Sequence, residues 1–234
     1  IPEDPMRRFR VPSIPALGER QTLGSSGSHH LLNVIRHGRG QQLLIFDGAG
    51  MQALAELVDV QGDQAVIEVV GPSRSASPQF AVHLVIGLPK GPAMDLAVRM
   101  ATEAGVTDIH PAIAERSVAR GDRGDRWRRI AESAAQQCGR ADVPTIHAVT
   151  KLSDVLALLP HDRRIGVAGA PPAEPASGPV AVLVGPEGGW TAREIAVAQE
   201  GGAVAMGLGD WILRTDTAAA VAVAAVSRNN KADA

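Results

Sequence analysis

The most constraining feature of this sequence is the alternation of short apolar runs with amphipathic segments after residue 78. Phe80 to Gly87 is a continuous apolar run, as expected for a strand buried on both faces. Further strands are predicted over 164–168, 180–184 and 204–208, and helices over 94–104, 125–138, 191–199 and 217–227. Strands separated by helices pair in parallel. This part of the chain is therefore predicted to be an α/β domain with a mainly parallel sheet.

The first 77 residues follow a different pattern. Short strand-like runs separated by turn residues are predicted over 42–46, 54–60 and 65–70. A short helix precedes them, with Ser28 as its expected N-cap and Gly38 as its stop. Strands in close succession predict a small barrel or a meander. The Pro- and Ser-rich stretch 72–78 is typical of a linker, so we place the domains at 1–74 and 75–234.

Composition excludes several classes of protein. The 234 residues carry a net charge of −2, and no apolar run is long enough to span a membrane. The first 20 residues do not resemble a secretory signal, so a cytoplasmic protein is expected. The single Cys138 excludes an internal disulfide. His29 and His30 are helix neighbours that point in different directions, so no metal site is expected.

One candidate ligand-binding loop is the sequence LVGPEGGWT at 183–191. A strand ends here, a Gly/Pro turn follows, and a helix begins with a Thr191/Glu194 capping box. Glycines let a ligand approach the backbone, and ligands of open α/β sheets bind at the carboxyl ends of strands. The alternative is an ordinary strand-to-helix turn, because Gly and Pro are the usual turn residues.

A second loop of the same kind is LGDWILRTDTAAA at 208–220. Arg214 and Asp216 lie between apolar residues and an apolar helix, where solvated charges are not expected. Alternatively, the two charges pair with each other, or Asp216 is a favourable charge at the helix start. Two such loops about 25 residues apart in one sheet strengthen the case for a ligand site.

Together the two loops resemble the RsmE family of 16S ribosomal RNA methyltransferases, in the SPOUT superfamily. Other segments resemble that family in the same order along the chain: HHLLNVIR at 29–36, FDG at 46–48, LPKG at 88–91, ATEAGV at 101–106, ERS at 115–117 and QCGR at 137–140. Asp216 stands where the family commonly has Glu, which keeps the carboxylate and shortens its reach. The resemblance extends over nearly the whole chain.

The resemblance implies an N-terminal PUA-like β-barrel and a SPOUT-type α/β domain with a deep trefoil knot. It implies methyl transfer from S-adenosyl-L-methionine to N3 of a uridine in 16S ribosomal RNA, within the 30S subunit, by a homodimer. The implied cofactor-binding residues are Gly185, Pro186, Glu187, Gly188, Gly189, Leu208, Gly209, Ile212, Leu213, Thr217 and Ala218.

The reaction requires alignment of the two substrates and removal of the uracil N3 proton. Arg214 is the first candidate to stabilise charge on the uracil oxygens, with Arg140 or Arg36 next. Candidate bases are Glu187, Asp216 and Glu115, although Glu187 could instead cap the helix that starts at Thr191.

Contacts to RNA phosphates are expected from local basic residues. The candidates are Arg7, Arg8, Arg36, Lys90, Arg116, Arg120, Arg123 and Arg140. The alternative for the arginine-rich stretch 116–129 is a solvated helix face with internal ion pairs.

Three other functions remain open. Another SPOUT enzyme could act on tRNA or on a ribose hydroxyl, and a non-enzymatic RNA-binding protein would not need the 185–189 loop. A nucleotide-binding enzyme of a different fold would bind NAD or ATP.

Overall fold

A computed structural model describes residues 7–117, 121–228 and 230. These residues form two compact units. The first contains 7–77 together with 135–143, and the second contains the remaining described residues from 78 to 230.

The first unit is built on a mixed sheet. Its described strands are β1 (Arg8–Arg10), β2 (Arg20–Thr22), β3 (Gln42–Phe46), β4 (Met51–Gln61), β5 (Gln64–Val69) and β6 (Arg74–Ser75). They are ordered β1-β3-β4-β5-β2, and β6 pairs with β4. Strands β3, β4 and β5 form an antiparallel meander, which confirms that prediction. The stretch predicted as a linker contains β6, so part of it belongs to the sheet.

The predicted N-terminal helix exists but begins earlier than expected. Helix α1 (Ser25–His29) continues into a wider turn over His30–Val34, where the Ile35 N–H bonds to the His30 carbonyl five residues back. Ser28 lies inside α1 and is buried, so its assignment as N-cap was wrong. Its hydroxyl instead donates to the Leu23 carbonyl and accepts from the Ala65 N–H, linking α1 to the sheet.

The second unit is a parallel sheet with helices. Its described strands are β7 (Val82–Gly87), β8 (Asp108–Ile113), β9 (Thr145–Ile146), β10 (Thr150–Lys151), β11 (Asp162–Gly166), β12 (Val180–Val184) and β13 (Ala203–Met206). They are ordered β10-β8-β7-β12-β11-β13, with β9 also pairing with β8. Every strand pairing recorded in this sheet is parallel, as predicted.

The remaining helices are α2 (Ala93–Ala104), α3 (Gly124–Cys138), α4 (Leu152–Leu156), α5 (Ala192–Glu200) and α6 (Thr215–Val226). Helix α3 has the predicted apolar stripe, but Cys138 at its end is exposed rather than on the buried face. None of the described helices combines the length and the apolar character needed to cross a membrane.

The strand order reverses between β7 and β12, which lie side by side in the middle of the sheet. The next strands in the chain, β8, β9 and β10, lie on one side of β7, whereas the later strands β11, β12 and β13 lie on the other. Loops that leave the carboxyl ends of strands at such a reversal diverge and leave a crevice between them. The crevice in this unit is the candidate functional site.

Candidate functional site

A cavity of about 450 Å³ opens at the carboxyl edge of the parallel sheet. Its wall is formed by residues from the ends of β11, β12 and β13 and from the start of α6. The size falls in the range usual for small-molecule sites. The two loops singled out in the sequence, 185–190 and 208–214, therefore contribute to one site.

The loop after β12 is a tight turn fixed by local bonds. The Gly189 N–H donates to the Pro186 carbonyl at 2.7 Å. The Glu187 carboxylate accepts from the Lys90 N–H at 2.9 Å, which ties this loop to the loop after β7. Thr191 and Glu194 form the predicted capping box of α5. The alternative role of Glu187 as the cap of that helix was therefore wrong.

The loop after β13 carries two apolar side chains on its surface. Trp211 is 84% exposed and Ile212 is 92% exposed, although both contribute to the cavity wall. Trp211 and Ile212 are adjacent and lie beside the cavity, and a contiguous exposed apolar patch of this kind marks a binding surface.

Arg214 and Asp216 follow in the same loop but differ in environment. The Arg214 side chain is 86% exposed, so the expectation that both charges are shielded was wrong for this residue. Asp216 is buried in the first turn of α6, and its Oδ1 accepts from the Thr217 N–H at 2.9 Å. Arg214 Nε lies 3.9 Å from Asp216 Oδ1, a long ion pair. The guanidinium is thus presented at the cavity and is not locked into the fold.

Most of the predicted cofactor residues line this cavity. They are Gly185, Pro186, Glu187, Gly189, Leu208, Gly209, Ile212, Leu213 and Ala218. Gly188 in the first loop and Thr217 in the first turn of α6 do not contribute to the wall. A methyl group placed on Gly188 would meet the side chain of Arg116 at 3.1 Å, so this position faces Arg116.

Some residues of the cavity wall were not predicted from the sequence. Gly166, Val167 and Ala168 at the end of β11 line the cavity, as do Trp190 and Thr215. The only signal for the first three was their place in the predicted strand 164–168.

The buried indole nitrogen of Trp190 is evidence for a ligand in the cavity. Its side chain is buried, and its indole Nε1 has no hydrogen-bond partner among the described residues. Buried donors are nearly always paired, and an unpaired donor costs about 1–3 kcal/mol. A ligand acceptor in the cavity would pair this N–H.

The predicted RNA-contact residues fall into two groups. Arg7, Arg36, Lys90, Arg116 and Arg123 are exposed, while Arg120 lies outside the described residues. Arg116 also donates to the Gly188 carbonyl at 2.8 Å.

Arg8 and Arg140 make internal contacts within the first unit, so they are less available to RNA than the exposed group. Arg8 donates to Gln52 Oε1 and to the Arg140 carbonyl, both at 3.1 Å, and its guanidinium lies over the Phe46 ring. Burial lowers the pKa of this guanidinium. Arg140 forms a two-pronged ion pair with Asp142, and both side chains are largely buried. Arg140 is therefore also a poor candidate for the reaction.

The arginine-rich stretch is partly paired. Arg126 bonds Asp95 through two nitrogens, and Arg128 bonds Asp125. The alternative of internal ion pairs is confirmed for these two residues.

Comparison with known proteins agrees with the fold and the cavity. Residues 75–227 match the family model of the RNA methyltransferase domain. A ribosomal RNA small subunit methyltransferase E from Mycobacterium tuberculosis is 33% identical, covering 93% of this chain and 90% of the relative. The Bacillus subtilis protein of the same name is 31% identical, covering 85% and 86%.

A crystal structure of the Neisseria gonorrhoeae ribosomal RNA small subunit methyltransferase E, bound to S-adenosyl methionine, superposes with a TM-score of 0.87. It is 31% identical and covers 97% of this chain and 98% of its own. Fold, cavity and family model thus define an RNA methyltransferase domain. The chain belongs to the ribosomal RNA small subunit methyltransferase E family.

Proposed function

We propose that this protein transfers a methyl group from S-adenosylmethionine to N3 of a uridine in 16S ribosomal RNA, within the assembled 30S subunit. The observation that carries the proposal is the cavity at the strand reversal, walled by the 185–190 and 208–214 loops. A substrate of this kind would place the protein in the cytoplasm.

The test uses ribosomal subunits from a strain that lacks the protein. Purified protein and methyl-labelled S-adenosylmethionine are added, and modified nucleosides are mapped by mass spectrometry. We expect one 3-methyluridine in 16S RNA. Label on a ribose or on another base would contradict the assignment, as would transfer to tRNA, added in a parallel reaction, in place of the subunits.

The cavity residues fit the cofactor. Leu208, Leu213 and Ala218 offer apolar surface for an adenine ring, and the Trp190 indole N–H offers an unpaired donor. Backbone groups of Gly185 to Gly189 are available at the turn. Bound S-adenosylmethionine would supply an electrophilic methyl group on its sulfonium.

The side chains around the cavity have separate tasks. We assign Arg214 to stabilise negative charge on the uracil oxygens as the N3 proton leaves, because its guanidinium is free to meet a substrate. Asp216 is 3.9 Å away and is our preferred base. Glu187 holds the Lys90 N–H, so we assign it a positioning role between two loops.

Gly188→Ala tests the direction in which this loop faces. The added methyl would meet Arg116 rather than the cavity: its nearest contacts are Arg116 Cβ at 3.1 Å and Cδ at 3.3 Å, which must give by a few tenths of an ångström. We therefore expect cofactor affinity, measured by calorimetry, to change less than about threefold, which corresponds to less than ~1 kcal/mol. Loss of binding would place Gly188 in direct contact with the cofactor.

We further propose that the second unit contains the trefoil knot of the family. The segment after β11 contacts the chain after β13, where the Gly207 N–H bonds to the Pro171 carbonyl at 2.6 Å. A Cβ at Gly207 would lie 2.2 Å from the Ala170 carbonyl oxygen, so the two segments require glycine to pass each other. The Ala176 N–H also bonds to the Val226 carbonyl at the end of α6. These contacts support a threaded arrangement.

The first unit is proposed as the PUA-like RNA-binding domain, with the boundary near 74. Its mixed sheet and its exposed Arg7 and Arg36 support this role.

A homodimer is proposed from the exposed face of α6. The helix buries Ala218, Ala219, Ala222, Val223 and Val226, but Val221 and Ala224 remain exposed. A helix that is apolar on all sides is expected to be buried on all sides. A second copy of the chain would cover this face.

Val221→Glu is expected to convert the dimer to a monomer at micromolar concentration, because it places a charge in the proposed interface. Light scattering measures the mass. The matched control is Val197→Glu on α5, which is similarly exposed and should leave the mass unchanged. A monomeric wild-type protein would remove the dimer from the proposal.

A further inference from the structure

A group of imidazole rings lies at the amino-terminal edge of the parallel sheet, away from the cofactor cavity. His83 is in β7, Asp108 and His110 are in β8, and His147 directly follows β9. In the strand register His83 is paired with Asp108, and the His147 N–H bonds to the Ile109 carbonyl. Residues paired across parallel strands, and residues two apart in one strand, point to the same face. The topology therefore places all four side chains side by side.

The side chains are in direct contact. His83 Nδ1 lies 3.0 Å from His110 Nε2, and Asp108 Oδ2 is 3.9 Å from His83 Nδ1. The His110 and His147 rings stack with centroids 4.0 Å apart. One ligand atom from each of His83, Asp108 and His110 can be chosen so that all three lie within 4.8 Å of one another.

We propose that His83, Asp108 and His110 form a binding site for a divalent transition metal of the Zn²⁺ type. Imidazole nitrogen and carboxylate oxygen are the ligands this ion takes together.

The spacing of the two imidazole nitrogens agrees with the coordination geometry, whereas the Asp108 oxygen, 3.9 Å from His83 Nδ1, must move closer to complete the site. Tetrahedral bonds of about 2.0–2.1 Å separate neighbouring ligand atoms by roughly 3.3 Å. The 3.0 Å between the two imidazole nitrogens is close to this value, so a small ring rotation admits an ion between them. In the metal-free protein one of these nitrogens must carry the shared proton, and metal binding would move that ring to its other tautomer.

The carboxylate is already oriented by its neighbours. His147 Nε2 lies 2.8 Å from Asp108 Oδ1, and the Thr107 hydroxyl donates to Asp108 Oδ2 at 2.8 Å. Bonds of this kind orient metal ligands in known sites.

One ring of the group reaches solvent. His147 is 39% exposed at its side chain and leaves a path from solvent.

The site would act on the structure rather than on methyl transfer. From His83 to Gly87, where β7 ends at the cavity edge, the strand rises roughly 13 Å. A metal at this edge would tie β7 to β8. The absence of a metal site was expected from the sequence because only neighbouring histidines were considered, whereas these ligands meet across strands.

Calorimetric titration of chelator-treated full-length protein with ZnSO₄ tests the site. We expect one saturable equivalent and a higher midpoint of thermal unfolding when zinc is present. His110→Ala should bind at least about 100-fold more weakly, beyond the loss caused by removing a residue that only orients a metal ligand. The matched control is His161→Ala, an exposed histidine elsewhere in the unit, which should bind as the wild type does.

A second measurement on the wild-type protein does not depend on whether the variant folds. Ring ¹⁵N resonances of the histidines are recorded with and without Zn²⁺, and those of His83 and His110 should move into the metal-bound range. The proposal is overturned if no saturable binding occurs, or if the resonances that move belong to other histidines such as His29 and His30.

Discussion

Arg214→Ala is expected to lower the single-turnover rate of methyl transfer to 30S subunits by about 10²–10³-fold, the loss typical of removing one donor to a developing oxyanion. Affinity for S-adenosylmethionine should stay within about threefold, since the assigned target of this side chain is the uracil. The thermal midpoint should also be kept, because the side chain is 86% exposed and its one ion pair among the described residues is 3.9 Å long.

Arg214→Lys separates charge from geometry. Lysine keeps the positive charge but cannot span a uracil oxygen and the Asp216 carboxylate with a planar fork of donors. We expect it to lose about tenfold or more in the same assay, which lies between the wild type and the alanine variant.

The matched control for this pair is Arg193→Ala. Arg193 is 84% exposed and makes a similarly long ion pair, 3.8 Å to Glu115. Its removal should leave the single-turnover rate unchanged. A near-normal rate for a well-folded Arg214→Ala would remove Arg214 from the reaction, and the ion-paired Arg140 would not be its replacement.

Short sequence patterns predicted those elements that are determined by residues close together in the chain. Strand β12 was predicted at its observed bounds because five consecutive apolar residues between Pro179 and Gly185 suit only a strand buried on both faces. The start of α5 was predicted from Thr191 and Glu194, whose reciprocal bonds lie within one turn. Both loops of the cavity could be found in this way, because each follows a strand end.

Features made by contacts between distant residues could not be predicted. Ser28 has the chemistry of an N-cap, yet its hydroxyl bonds Leu23 and Ala65 across the first unit. The internal contacts of Arg8 include a hydrogen bond to Gln52, which is 44 residues away in the chain. The imidazole group likewise depends on the register of β7, β8 and β9, which periodicity within one strand does not reveal.

The solvent exposure of the Arg214 side chain could not be predicted from the sequence either. An apolar neighbourhood along the chain predicted that Arg214 is shielded, but its loop leaves the sheet and presents the side chain to solvent. Sequence neighbours share an environment only where the backbone keeps them on one face.

Gly185→Ala is expected to weaken S-adenosylmethionine binding by roughly 10- to 100-fold. A Cβ at this position would lie 3.0 Å from the Trp190 nitrogen and 3.1 Å from the Gly189 carbonyl carbon. Both are backbone atoms of the turn that the Gly189–Pro186 hydrogen bond closes, so the turn must open to admit the methyl group. If the cofactor binds only to the closed turn, binding must restore the overpacked conformation, which costs about 1–3 kcal/mol, and each 1.4 kcal/mol is about tenfold in affinity.

The control for Gly185→Ala is Gly178→Ala in the loop before β12. A Cβ at Gly178 would meet nothing within 4 Å, so this variant should bind the cofactor as the wild type does. Calorimetry gives the affinity, and thermal unfolding without ligand reports any loss of stability. Both variants are titrated at a temperature where each is folded. If Gly185→Ala keeps wild-type affinity, the 185–190 turn does not hold the cofactor, and the site must rest on the 208–214 loop and the end of β11.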